Sequence, residues 1–200
     1  MPDPSPDSAA RRTRILDAAV RVFATRGHTA TRIADIAQEA GVAYGLVYHY
    51  FGSKDALLDT VFDENWATFA EVVEGVAASD RSARDKVRVV LDYALASAET
   101  YPERVQVILL EYGRRARLGQ ALTHAHVARV VATLRALFQG AAARGELAPG
   151  AVPEVLPVVL LGALQSVIVA MLVDREPLEA AAVRSTILSL LSVSDASPEE

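Results

Sequence analysis

Five residues near the N-terminus combine types that an ordinary surface helix rarely shows together. Ala43, Tyr44, Gly45, Tyr48 and His49 fall on one side of a short helical run, with Val47 on the other. Aromatic residues and glycine are poor helix formers, so their place on a solvent face needs a reason beyond local stability. DNA supplies one. Gly45 permits close approach of the backbone, tyrosine hydroxyls reach phosphate oxygens, and His49 offers ring nitrogens. Arg11, Arg12, Arg14, Arg32 and Lys54 surround this face in sequence and carry the charge that phosphate neutralisation requires.

Charge is distributed to match. The chain of 200 residues has a net charge of −5, which alone argues against a polyanion partner. Divided, residues 1–8 carry −2, residues 9–54 carry +4 and residues 55–200 carry −7. A small basic module therefore sits on a larger acidic body.

The elements that position the face follow from apolar spacing. Ile15, Ala18, Ala19, Val22 and Phe23 repeat at helical period, with Ser8 expected as N-cap and Gly27 as the stop. A second helix after Thr31 buries Ile33, Ile36 and Ala37 and ends at Gly41; a third runs from about Ala43 to Phe51. The spacing Ala37–Gly41–Val47 suits a helix-turn-helix: a small residue at the crossing, a residue tolerant of positive φ in the turn, and an apolar anchor. Ser53 caps a long fourth helix, with Leu57, Leu58, Val61, Phe62, Trp66, Phe69, Val72 and Val73 as its stripe. Asp80 is expected to cap a fifth and Pro102 to open a sixth. Val127 to Ala141 mark a seventh, ended by Gly145, and Pro153 and Pro177 are expected to open an eighth and a ninth. The reading is all-α, about nine helices: a tail (1–8), a helix-turn-helix module (9–54), a larger helical bundle (55–194) and a second tail (195–200), both tails expected to be disordered.

Several chemistries are excluded. There is no cysteine, so disulfides, thiol catalysis and cysteine-bound zinc are out. His124 and His126 are two apart and share no helix face, so no metal site is expected. No glycine-rich phosphate loop and no carboxylate pair beside a histidine points to an enzyme. The start, MPDPSPDS, is not a secretory signal, and a cytoplasmic protein is expected. Val155 to Val173 is an uncharged run of 19 residues. It is broken by Pro157, Gly162, Gln165 and Ser166 and flanked by acids, so it is expected to be a buried or interface helix and no membrane partner is foreseen.

The run GVAYGLVYHYFGSKDALL resembles the DNA-binding signature of the TetR family of bacterial repressors, Gly-Val-Ser-x-Gly-x-x-Tyr-x-Tyr/His-Phe-x-x-Lys-x-x-Leu. The likeness is dense over residues 9–58. It implies that Thr31 caps the second helix, that Tyr44, Gly45 and His49 contact bases or backbone, and that Tyr48 and Lys54 contact phosphate. Ala43 stands where serine is usual, and Ala34 where arginine is common, a gap that Arg32 is placed to fill.

The resemblance further implies a homodimer on a palindromic double-stranded operator. The last two long helices, about 153–174 and 178–193, would form the dimer through Val158, Leu161, Gln165, Ile168, Leu172, Ile187, Leu190 and Leu191. It also implies an effector that enters the bundle and shifts the fourth helix. Trp66, Phe69, Tyr93, Leu110, Tyr112, Leu134, Phe138 and Met171 suggest a mostly apolar ligand, a fatty-acyl or other lipophilic molecule, with no cofactor. Glu111, inside the apolar stretch VQVILLEY, either pairs with Arg115 at i, i+4 or faces the ligand. Arg114, Arg115 and Arg117 form a solvated surface or hold an anionic head group. Gln165 bonds either a ligand or its symmetry mate. The expected function is a repressor released from DNA by the effector; a DNA-binding or architectural factor with no small-molecule inducer is the alternative.

Overall fold

The computed structural model describes residues 6–120, 124–173 and 176–191. Nine helices lie among the described residues: α1 (Pro6–Ala30), α2 (Ile33–Ala40), α3 (Tyr44–Phe51), α4 (Lys54–Ala77), α5 (Ala83–Thr100), α6 (Pro102–Arg117), α7 (Ala125–Ala143), α8 (Leu156–Leu172) and α9 (Ala180–Leu190). They divide into two compact units. The first takes the described residues to Asn65 together with Glu103–Glu111; the second takes Trp66–Pro102 and the described residues from Tyr112 onward. The division thus falls eleven residues later than the sequence boundary at 54, inside α4, and recruits part of α6 to the first unit.

In the first unit α1 packs on α2 and α2 on α3. Ile15, Ala18, Ala19, Ile36, Val47, Leu57 and Phe62 are buried. Gly27 breaks α1 with φ 69° and ψ 165°, and the chain resumes one further turn to Ala30. Gly41, at φ 63° and ψ 39°, closes α2: its N–H donates to Gln38 O at 3.1 Å and the Val42 N–H to Ala37 O at 3.0 Å. This is the paired bonding of a Schellman motif, and it turns the chain from α2 into α3 without leaving carbonyls unmet. Arg104 Nη2 meets Asp17 Oδ1 at 2.7 Å, tying α6 to α1.

In the second unit α5 packs on α7, α8 and α9. Val87, Val90, Leu91, Leu134, Phe138, Leu160 and Leu191 are fully buried. Ion pairs brace the helices from outside: Arg129 grips Glu74 at 3.1 and 2.7 Å, and Arg184 Nη1 meets Asp92 Oδ1 at 2.5 Å. Buried Glu146 accepts the Ala83 N–H at 2.8 Å, so a carboxylate placed just after α7 caps α5.

The helix starts correct four sequence expectations. Ser8 lies inside α1, which begins at Pro6, within the expected N-terminal tail. Ser82, not Asp80, caps α5, because its Oγ accepts the Asp85 N–H at 3.1 Å. Pro153 precedes α8 by three residues, and Pro157 occupies the first turn instead. Pro177 likewise precedes α9, whose N-cap is Glu179. A proline is compatible with a helix start but equally with the turn before it. Ser53 caps α4 as expected, its Oγ accepting the Ala56 N–H at 3.0 Å. Residues 1–5 and the tail 195–200 lie outside the described residues.

Candidate nucleic-acid interface

α3 is eight residues long and turns Val47 and Phe51 inward. Ala43, Tyr44, Gly45, Tyr48 and His49 are all exposed, as their spacing requires. Tyr44 and Tyr48 keep 52% and 43% of their surface in water, high values for tyrosines that make a mutual contact. Their ring centroids are 5.1 Å apart, and Tyr44 Oη donates to Tyr48 Oη at 3.2 Å. That bond holds the Tyr44 pKa above its ordinary value, with desolvation and the neighbouring phenol adding to it. Open space surrounds Gly45. No side chain caps α3 at Ala43, so the smallness of that residue leaves the helix start uncovered. The helix positive end there favours an anion.

The basic residues expected around this face have divided roles. Arg32 is exposed at the N-cap of α2, and its guanidinium makes no salt bridge among the described residues. Its backbone N–H donates to Asp35 Oδ2 at 3.0 Å. That bond, opposed by partial burial and aided by Arg26 at 2.9 Å, lowers the Asp35 pKa. Arg11 is exposed and only loosely paired with Asp7 at 3.8 Å. Arg12, in contrast, is clamped: its Nη2 meets Glu64 Oε1 at 2.5 Å and its guanidinium lies over the Phe51 ring at 5.6 Å. Arg14 donates to Ala40 O at 3.3 Å, at the end of α2.

Lys54 Nζ donates to His28 O at 2.7 Å and Thr31 O at 2.9 Å. Two of its three protons therefore fix the connection after α1 to the start of α4. Thr31 is a correction. It is buried, and its Oγ1 donates to Gly27 O at 2.7 Å, so Arg32 and not Thr31 stands at the N-cap of α2. The threonine hydroxyl found a carbonyl exposed by the break at Gly27.

Sequence reasoning missed the fastening of α3 to the N-terminus. Tyr50 Oη lies 2.9 Å from Ser8 Oγ and donates to Ser8 O at 3.3 Å. Glu64 was missed as well. Partners 42 and 52 residues apart leave no periodic signal.

The residues expected to meet a ligand do not all belong together. Trp66, Phe69, Tyr93 and Tyr112 form an aromatic chain in the second unit. Trp66 is 5.7 Å from Phe69 and 5.6 Å from Tyr112, and Phe69 stacks on Tyr93 at 6.0 Å with an interplanar angle of 19°. Burial raises the Tyr112 pKa. Leu134 and Phe138 are fully buried, and Met171 half-buried. Gln165 Nε2 lies 3.5 Å from where a β-carbon on Gly113 would sit, against α6 of its own chain. Leu110 and Glu111 fall in the first unit. Glu111 is buried, but Leu110 is a correction, being 48% exposed on the outer face of α6.

The expected dimer set needs a larger correction. Leu161, Ile168, Ile187 and Leu191 are all buried inside the second unit of a single chain. Leu172 is half-buried. Only Val158 and Leu190 of the expected stripe are exposed, at 51% and 69%. The outer face of α8 is formed instead by Val158, Val159, Gly162 and Ser166, with the exposed cap residues Val155 and Val173 at its two ends. A helix apolar all round gives no periodic signal to distinguish its inner from its outer face. No helix among the described residues is long and apolar enough to cross a membrane. No group of three metal-ligating side chains lies among them either.

Known proteins place this arrangement in a class. The sequence profile described as "Bacterial regulatory proteins, tetR family" matches residues 15–61, which span the Schellman turn, α3 and the first third of α4. Over those residues the chain carries the DNA-binding region of the TetR family of bacterial regulators. It is 38% identical over 79 residues to the HTH-type transcriptional repressor KstR2 of Rhodococcus jostii. That match covers 36% of this chain and 39% of the relative, so the chain spans about two fifths of that relative. In fold it is similar to the transcriptional regulator FadR from Bacillus subtilis in complex with stearoyl-CoA, with TM-score 0.78 and 24% identity over 90% of this chain and 97% of that one. It is also similar to AibR in complex with isovaleryl coenzyme A and operator DNA, with TM-score 0.74 and 21% identity over 91% and 98%.

Proposed function

We propose that this protein is a ligand-responsive transcriptional repressor that binds a palindromic operator as a homodimer and leaves it when a lipophilic acyl compound binds. The observation that carries the reading is the exposed face of α3, where Tyr44, Gly45, Tyr48 and His49 stand on a helix pair closed by Gly41. Arg32 and Arg11 flank it in sequence with their charges uncommitted or loosely committed, the state that counterion release rewards. The function is one of binding, not of catalysis, and a chromosomal target implies the cytoplasm.

The dimer would form through the outer face of α8, Val155, Val158, Val159, Gly162 and Ser166, with Leu190 of α9. Contiguous exposed valines are costly in water and mark an interface. Two-fold symmetry would set two copies of α3 roughly 34–36 Å apart, one turn of B-DNA.

The effector would lie among Trp66, Phe69, Tyr93, Tyr112, Leu134, Phe138 and Met171, with Gln165 as its polar contact. The acyl-CoA ligands of FadR and AibR support an acyl thioester as the effector class. Arg114, Arg115 and Arg117, at the end of α6, are the residues proposed to meet its phosphates. α4 begins in the first unit and ends in the second, so a shift of α4 around the ligand would alter the spacing of the recognition helices. Release requires that the ligand favour the non-binding state.

Trp66 is the only tryptophan and reports the event without mixing. Acyl-CoA thioesters of graded chain length should change its emission and release DNA over one concentration range, and DNA should weaken the thioester by the same factor. Emission changes without any loss of DNA binding would contradict the proposed coupling.

A further inference from the structure

Tyr44 and Tyr48 are one helical turn apart on α3, both exposed, and they bury nothing of the module's core. Their rings meet at 60°, and the Tyr44 hydroxyl donates to the Tyr48 oxygen at 3.2 Å. A phenol has one proton. With its own committed to Tyr48, Tyr44 has no donor left for a DNA phosphate. Tyr48 is in the opposite condition: one lone pair is taken, its proton is still available, and the accepted bond polarises that O–H into a better donor. The pair is therefore a relay with a direction, from Tyr44 through Tyr48 and outward.

We propose that Tyr44 acts on DNA as a positioning residue, orienting the Tyr48 hydroxyl so that its proton points at a phosphate oxygen, and that Tyr44 does not read a base. The proposal rests on the DNA-binding reading above. It assigns Tyr44 to sequence-independent affinity, although its place on the recognition helix suggests base readout. The shared ring contact fixes the Tyr48 side chain in the same sense, because a tilted aromatic neighbour limits its rotation.

The test uses the full-length protein, a duplex enriched from a random-sequence library and an unrelated duplex of equal length. Affinities are measured for the unaltered protein, Tyr44→Phe, Tyr48→Phe and the double variant, with thermal melts confirming that each is folded. Tyr44→Phe keeps the ring and removes the hydroxyl that makes the relay bond. It is expected to weaken both duplexes alike, by about threefold, the size of one neutral hydrogen bond. In the Tyr48→Phe background it should cost nothing further, since the group it orients is gone. A fresh selection with Tyr44→Phe should return the same sequence. A changed base preference in that selection overturns the proposal, as does a Tyr44→Phe loss that adds in full to that of Tyr48→Phe, or no loss at all. Failure of the unaltered protein to bind either duplex overturns the functional reading itself, and is distinct from all of these.

Discussion

α3 is rich in aromatic residues and α8 in aliphatic ones, and their surfaces have opposite legibility. In α3 the residues turned to water carry hydroxyls, a ring nitrogen or no side chain, and those turned inward are Val47 and Phe51. The two faces differ in chemistry, so sequence spacing alone assigns them. In α8 Val158 and Val159 face water and Leu160, Leu161 and Leu164 face the core, and the only polar side chains on the helix are Gln165 and Ser166. A helix that meets a polyanion advertises its outer face. A helix suited to meet a copy of itself does not, because both of its faces are apolar.

The largest expected effect exploits that difference. Leu161 is 9% exposed and Val159 43%, although they are two residues apart. Leu161→Glu buries an unpaired carboxylate and should unfold the second unit, a loss of about 4 kcal/mol or more. Val158→Glu with Val159→Glu should leave a folded chain that sediments as a monomer and binds operator at least about 100-fold more weakly, since half of the paired recognition is lost. A folded dimer from the valine pair would remove α8 from the interface.

A smaller effect sharpens the α3 side. Arg32→Ala should weaken all duplexes and reduce the slope of log affinity against log salt by about one, the mark of one lost phosphate contact. Arg12→Ala should leave the slope nearly unchanged. Its charge is already held by Glu64 and the Phe51 ring, so its loss should appear as a melting temperature lower by a few degrees, within about 1 kcal/mol for a half-exposed pair. Equal slopes for both variants would place both arginines on the phosphates.

The smallest effect concerns pH. Burial pushes the Glu146 carboxyl upward, but hydrogen bonds from Arg144 and the Ala83 N–H, with the charges of Arg144 and Lys86, outweigh it and leave the pKa below its ordinary value of 4.5. A carboxyl depressed on folding stabilises the fold above its unfolded pKa, and that contribution is lost as pH falls through the folded value. Glu146→Gln should therefore melt lower than the unaltered protein at pH 7, by about 1 kcal/mol. The gap should close as pH falls below 4.5 and through the depressed folded value.

What was legible divides along physical lines. Helix periods, the turn at Gly41 and the α3 face depend on residues within one or two turns of each other, and the sequence carries such signals locally. The engagement of Lys54 with His28 O and Thr31 O depends on where distant backbone lies, as does that of Arg12 with Glu64. Basic residues that resemble phosphate contacts in a linear count are thus partly structural. The inner and outer faces of α8 became distinguishable only once α5, α7 and α9 were packed against one of them.

Selection of bound sequences from random duplexes tests the central claim most directly. Enrichment by the full-length protein of an inverted repeat whose half-sites are centred about 10 base pairs or a multiple apart is the predicted result. Enrichment of a sequence with no two-fold symmetry, or of none, would contradict it.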